Sequence, residues 1–222
     1  MNADALRLYV IVDPDACAGR DPVAVARAAV RGGAGIIQLR DKRGDVPAML
    51  ALARDMVRAV REEGGLFVVN DRVDVARVAD ADGAHVGQRD LPPVEARALL
   101  GGEAVIGLSL KTAGQVDAAP VESLSYGAIG GIFPTASKKQ DLPPAGLDGL
   151  AELARRLRAR ASRLPVVAIS GITVENAASV IEAGADGIAV ISAVCTAEDP
   201  EVAARALRRE VDGALASRRE AG

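Results

Sequence analysis

The chain has 222 residues, enough for one domain with its own core; half of them are hydrophobic and only 2% aromatic. Such a core must be built from Ala, Val, Ile and Leu, which suits helices packed on buried parallel strands. A net charge of −3 with pI near 5.4 excludes the basic field that nucleic-acid or membrane-surface partners require.

From the N-terminus onward there is no basic segment leading into an apolar one. No apolar run approaches the roughly 20 residues of a membrane span. The sequence therefore reads as a cytoplasmic protein with no membrane partner. Apolar runs at 8–12, 35–39, 66–69, 83–86, 105–108, 126–130, 165–169 and 187–191 alternate with helical patterns. Those patterns lie at 21–32, 47–64, 74–80, 93–100, 112–119, 147–163, 173–183 and 200–217. The runs are rich in Val and Ile and too short for helices, which predicts strands. Asp21 before Pro22 marks a helix start, Thr112 with Gln115 fits a capping box, and Ala183-Gly184 reads as a helix stop. Eight such units take about 28 residues each, the spacing of a compact barrel. The predicted fold class is α/β, a single (β/α)8 TIM-barrel domain over residues 1–222. A doubly wound open sheet is the alternative, since alternation alone does not show closure. The one long patternless segment, 131–146, carries two basic residues and three prolines and reads as an active-site loop.

In a barrel of this kind, chemistry sits at the C-terminal strand ends and the loops that follow. Strand 2 hands over to Arg40-Asp41-Lys42-Arg43, strand 3 to Asn70-Asp71-Arg72, and strand 4 to Gly87-Gln88-Arg89-Asp90. Strand 5 leads to Ser109-Leu110-Lys111, and strand 6 to a loop with Thr135-Ala136-Ser137-Lys138-Lys139. Strand 7 leads to Ser170-Gly171-Ile172-Thr173, and strand 8 to Ser192. The chain has 23 arginines but only four lysines, and all four (Lys42, Lys111, Lys138 and Lys139) fall on this predicted rim. Lysines scattered over solvated helix faces would not do this. A mildly acidic chain with its lysines at one mouth is arranged to hold an anion, with Arg40, Lys42 and Lys138 donating to phosphoryl oxygens. Asp71 and Asp90 at the same rim would repel that anion unless a cation lay between, and magnesium takes such a ligand set. Helix capping is the competing reading of both aspartates. Small residues after strands 7 and 8 form a second anion site at the start of a helix. Two anion sites imply two phosphorylated substrates.

The single histidine, His85, excludes His pairs and reads as a hydrogen-bonded barrel residue. Cys17 and Cys195 are far apart in sequence with no metal-ligand spacing, and read as buried or incidental thiols. With no catalytic triad or P-loop pattern, the chemistry has to run on positioning and a metal.

Six segments occur in order: Gln38-Leu39-Arg40-Asp41-Lys42, Asn70-Asp71-Arg72, a His85 to Asp90 stretch, Gly107-Leu108-Ser109, a Gly130 to Lys138 stretch with Phe133-Pro134-Thr135, and Ala168 to Ile172. Together they resemble the thiamine-phosphate synthase family from about Leu8 to Val194. The resemblance implies transfer of an aminopyrimidinyl-methyl group from its diphosphate to a thiazole phosphate, giving thiamine phosphate and pyrophosphate. It also implies the roles of individual residues. Asp71 and Asp90 hold Mg2+, and Gln38, Arg40, Lys42, Asn70 and Lys138 surround the pyrimidine diphosphate. Ser109 lies near the reacting carbon, with Ser109 and Lys138 as the catalytic pair. Thr135, Ser137, Gly171, Ile191 and Ser192 hold the thiazole phosphate. Its partners are then small molecules, and a homo-oligomer is compatible with the sequence.

Three positions depart from the family pattern. Gly131 replaces a proline, Ser170 replaces a glycine, and Lys111 stands where a histidine is common. That histidine serves proton transfer in the related thiazole tautomerases, so Lys111 argues against a tautomerase. The intact Asp71, Asp90 and Lys138 argue against a non-catalytic thiamine-phosphate-binding regulator.

Overall fold

The computed structural model describes residues 3–135 and 142–220. Eight parallel strands close into a barrel in sequence order: β1 Leu8–Val12, β2 Ile36–Leu39, β3 Leu66–Asn70, β4 Gly83–Val86, β5 Val105–Leu110, β6 Tyr126–Gly130, β7 Val166–Ile169 and β8 Gly187–Val190. Pairing of Tyr9 with Ala189 joins β1 to β8, which rules out the open-sheet alternative. Helices α1 (Pro22–Arg31), α2 (Val46–Glu62), α3 (Val73–Val78), α4 (Pro93–Leu100), α5 (Ala113–Ala118), α6 (Gly146–Arg160), α7 (Val174–Glu182) and α9 (Pro200–Glu220) ring the strands, and a short α8 (Ser192–Cys195) follows β8. None of the described helices is long and apolar enough to cross a membrane.

Local sequence explains these elements. Asp21 and Asp45 accept from Val23 N and Ala48 N at the starts of α1 and α2, each with a proline in the first turn. On α2, Met49, Ala53, Met56, Val57 and Val60 recur at helical spacing and are buried. α9 packs against both α1 and α7, completing the ring. Thr112 caps α5 by accepting from Gln115 N at 3.3 Å, but Gln115 returns its bond to Lys111 N at 2.7 Å, one residue before the predicted box.

Side chains alternate in and out along each strand. The outward set (Leu8, Val10, Ile37, Phe67, Val69, Ile106, Ile129) packs under the helices. The inward set (Tyr9, Ile11, Ile36, Val68, Val105, Tyr126, Ala128, Val167, Ala189) forms a separate core inside the barrel. The same alternation carries Gln38, Asn70, His85 and Ser109 inward. The strand ends therefore differ from the apolar runs in an informative way. β3 reaches Asn70 and β5 reaches Leu110, so Asn70 and Ser109 are strand residues facing the barrel interior, not loop residues. β2 and β7 start one residue later than the runs at 35–39 and 165–169. β8 ends at Val190, so Ile191 leads into α8.

Candidate active site

At the barrel mouth lies a pocket lined by Gln38, Arg40, Asn70, Ser109, Thr135, Gly171, Ile191 and Ser192, all predicted, and by Ile11, His85, Ile169, Ser170 and Thr173 among others.

Lys42, Asp71 and Asp90 form a second cluster beside this pocket, not part of its lining. Lys42 Nζ pairs with Asp71 Oδ2, and the Asp71 carboxyl neighbours that of Asp90. Burial first, then the neighbouring Asp71 carboxyl, pushes the Asp90 carboxyl up from its ordinary range. The capping reading fails for both aspartates. Arg72 and Pro92 occupy the N-cap positions of α3 and α4, with no side-chain cap bond at either. Asp90 Oδ2 instead accepts from Gly87 N at 2.8 Å, closing its own turn. Asp71 adopts φ 63° and donates its N–H to His85 O at 2.8 Å. Positive φ is uncommon for a residue with a Cβ, and aspartate is among those that tolerate it.

The basic run after β2 divides its work. Arg40 lines the pocket and is held by Asp13, which is buried at the end of β1 and also caps the following turn through Asp15 N at 3.1 Å. Arg43 turns back on Asp41, and that hydrogen bond holds the Asp41 carboxyl below its ordinary range. Asp13 is absent from the predicted set, although reading what strand 1 hands over to would have found it.

On the opposite wall, Ser170 sits at φ 99° and its Oγ accepts from Gly131 N at 3.1 Å, so two of the family departures touch each other. Gly171 has φ 67°, and a Cβ there would lie 2.4 Å from Pro134 O. The neighbouring loop thus requires this glycine even before any ligand is considered. Asn176 in α7 ties the turn together, donating to Gly171 O at 3.0 Å and accepting from Thr173 N at 2.9 Å. The long loop is pinned at its base by Ala145 N donating to Gly131 O at 2.8 Å. Ser137, Lys138 and Lys139 lie outside the described residues. Lys111, at the end of β5, runs its side chain beside Gly130.

Cys17 and Cys195 are both buried, and their thiols donate to Asp13 O at 3.3 Å and Ile11 O at 3.4 Å, because closure sets the loop after β1 beside α8. The neighbouring Cys17 thiol, ahead of burial, pushes the Cys195 thiol up.

A model of the family described as thiamine monophosphate synthase matches residues 8–194, the span from β1 into α8. A thiamine-phosphate synthase from Roseiflexus sp. (strain RS-1) is 48% identical over 217 residues, 97% of this chain and 89% of the relative. Another, from Moorella thermoacetica, is 44% identical over 204 residues, 92% of this chain and 95% of the relative. Among solved structures, thiamine phosphate pyrophosphorylase from Pyrococcus furiosus superposes with a TM-score of 0.83 at 36% identity, covering 96% of this chain and 98% of that one. A Mycobacterium tuberculosis tryptophan synthase structure shares the fold alone, with a TM-score of 0.69 at 20% identity and 94% of each chain covered. With six ordered motifs, a closed barrel and relatives spanning nearly its full length, the chain belongs to the thiamine monophosphate synthase family.

Proposed function

We propose that the chain is a transferase joining two phosphorylated heterocycles. The (4-amino-2-methylpyrimidin-5-yl)methyl group leaves its diphosphate for the ring nitrogen of 4-methyl-5-(2-phosphooxyethyl)thiazole, giving thiamine phosphate and pyrophosphate. The observation that carries this reading is one pocket with two unlike walls. The β2–β5 wall is polar, with Gln38, Arg40, Asn70 and Ser109. The β7–β8 wall combines Gly171 and Ser192 with the apolar Ile169, Ile172 and Ile191. The first suits an aminopyrimidine with its diphosphate. The second lies at the start of α7, where backbone N–H groups suit a phosphate.

Arg40, held by Asp13, and Lys42 and Lys138 meet the diphosphate oxygens, while Thr135 and Ser137 complete the thiazole phosphate site. Asp71 and Asp90 fit magnesium as a donor set, because burial and the neighbouring Asp71 carboxyl disfavour a bare charge on Asp90, and magnesium commonly takes one or two carboxylates with phosphate oxygens completing its shell. Bound there, the ion would supply neutralisation of the charge that builds on the diphosphate. The methylene C–O bond breaks with its electron pair on the diphosphate, and the aminopyrimidine ring supports the cationic carbon. The thiazole lone pair forms the new C–N bond. No proton has to move, which matches a chain whose only histidine is engaged at both ring nitrogens by Tyr126 and Ser109. It also speaks against a tautomerase. The test mixes the two half-molecules, magnesium and the full chain. Thiamine phosphate and pyrophosphate should appear in equal amounts, and absence of both overturns the reading.

A further inference from the structure

From Gln38 to Ser109 runs a polar chain whose middle members, Tyr9, Tyr126 and His85, have no part in the reaction as described. Gln38 donates its amide N–H to the Tyr9 hydroxyl, and the Tyr9 and Tyr126 hydroxyls are 2.9 Å apart. Tyr126 reaches His85 Nδ1 at 2.9 Å, and His85 Nε2 reaches Ser109 Oγ at 2.8 Å. The two ends, Gln38 and Ser109, line the pocket, while Tyr9 and Tyr126 are buried beneath it. The arrangement needs Gly107 in β5: a Cβ there would stand 2.1 Å from Tyr126 Cζ and 2.6 Å from His85 Nδ1.

Such a chain has a direction, and donor counting sets it. Burial pushes both phenols up, so each keeps its one proton. Oxygen positions alone do not say which phenol donates. With Gln38 donating to Tyr9, the Tyr9 proton has to go to Tyr126. Otherwise it is a buried donor with no acceptor among the described residues, which protein interiors avoid. Tyr126 then donates to His85 Nδ1, so the neutral ring carries its proton on Nε2 and donates it to Ser109 Oγ. The Ser109 hydroxyl is left to donate into the pocket.

We propose that Tyr9, Tyr126 and His85 are positioning residues, a one-way hydrogen-bonded chain that turns the Gln38 carbonyl oxygen and the Ser109 O–H toward the substrate. Resting on the reading above, this acceptor and donor pair complements the pyrimidine amino group and an oxygen of its diphosphate. A 4-oxo pyrimidine would present the wrong partner to Gln38.

Because His85 is the only histidine, nitrogen-15 spectra of the full chain report its tautomer without ambiguity. At a pH where the ring is neutral, the wild type should show the Nε2–H form. Gln38→Glu offers Tyr9 only acceptor oxygens, so every donation should reverse and the tautomer should move to Nδ1–H, with both phenols retained. An Nδ1–H wild type, or a Gln38→Glu tautomer that does not move, overturns the proposal. In kinetics, Tyr9→Phe should lower the kcat/KM preference for the amino over the oxo diphosphate by about tenfold or more; an unchanged preference refutes positioning. The spectra need no substrate. Failure of the substrate reading would appear separately, as a wild type that makes no thiamine phosphate.

Discussion

The two ends of the barrel use their charges in opposite ways. At the floor, where helices return to strands, arginines close the structure. Arg97 donates to the carbonyls of Gly102 and Ala104 and, at 3.1 Å, to that of Ser123. Arg160 holds the last carbonyls around α5, and Arg218 those after α7 together with Asp186. A planar fork of five donors serves several acceptors at once, which an ammonium cannot do. At the mouth, charge is held in tension. Asp90 is pushed up by burial and by Asp71, Lys42 stands against Asp71, and Asp71 and Ser170 have positive φ. The abundance of arginine therefore has a structural use at the floor, whereas Lys42 and Lys111 both follow strands at the mouth. Strain of this kind persists where surrounding structure over-determines it, commonly at functional sites.

The largest break in that contrast should come from the carboxylate pair. Asp71→Asn and Asp90→Asn keep shape, and asparagine tolerates the backbone of Asp71, whereas alanine there would add strain to loss of charge. Each should lower turnover by about 10²-fold or more if both carboxylates hold a metal against the diphosphate. Excess chelator should do the same to the wild type. Thermal unfolding should barely change. Full turnover of either variant, or of wild type in chelator, removes the metal from the reading.

Next comes the loop of Lys138 and Lys139. The resemblance sets the first on the diphosphate, and consecutive residues rarely both reach one ligand. A contact strengthened as the bond breaks lowers kcat rather than affinity alone when lost. Lys138→Met should reduce kcat by about 10²-fold, and Lys139→Met should stay within a few-fold, as a solvated charge would. Single-turnover rates decide between them. Equal losses would mean that the loop carries only a general positive field.

How much of this was legible depended on which physical signal each part emits. Strands buried on both faces need unbroken apolar runs, so all eight were visible to within one or two residues. The same criterion stops too early where the barrel interior turns polar. It left Asn70 and Ser109 outside strands, although alternation from Val68 and Val105 places them inward. α8, with four residues, is too short to show a period. Rim residues were found by asking what each strand leads to; Asp13 escaped only because strand 1 was not asked. Contacts made by closure have no sequence signature. The bond from Cys195 Sγ to Ile11 O and the run from Gln38 to Ser109 both join residues from distant units, and His85 could be read only as a hydrogen-bonded barrel residue.

A smaller effect sharpens the floor. Arg97→Lys keeps the charge but loses the fork, leaving carbonyls before β5 and β6 short of donors. Hydrogen bonds from a charged donor contribute about 1.5–3 kcal/mol each, less where water can replace them. A loss of about 2 kcal/mol is therefore expected, which lowers Tm by roughly 4–8 °C in a chain of this size. With the mouth untouched, kcat should stay within twofold. A large fall in kcat with unchanged Tm would show that the two ends are coupled rather than divided in their tasks.

The smallest effect concerns Ser170, where strain and compensation nearly cancel. Its φ of 99° lies outside the usual range for a residue with a Cβ and costs about 1–3 kcal/mol. The Oγ bond to Gly131 N returns about 1 kcal/mol. Ser170→Gly removes the strain but loses that bond and gives the unfolded chain more freedom, worth about 0.5–1 kcal/mol. Its stability should fall within about 1 kcal/mol of wild type. Ser170→Ala keeps the strain and loses the bond, so it should be the least stable of the three, by about 1 kcal/mol relative to serine. Denaturant unfolding of serine, glycine and alanine at this one position measures the order directly. If alanine equals serine, the Oγ bond contributes nothing. If alanine is more stable than glycine by about 0.5–1 kcal/mol, the backbone at 170 is not strained.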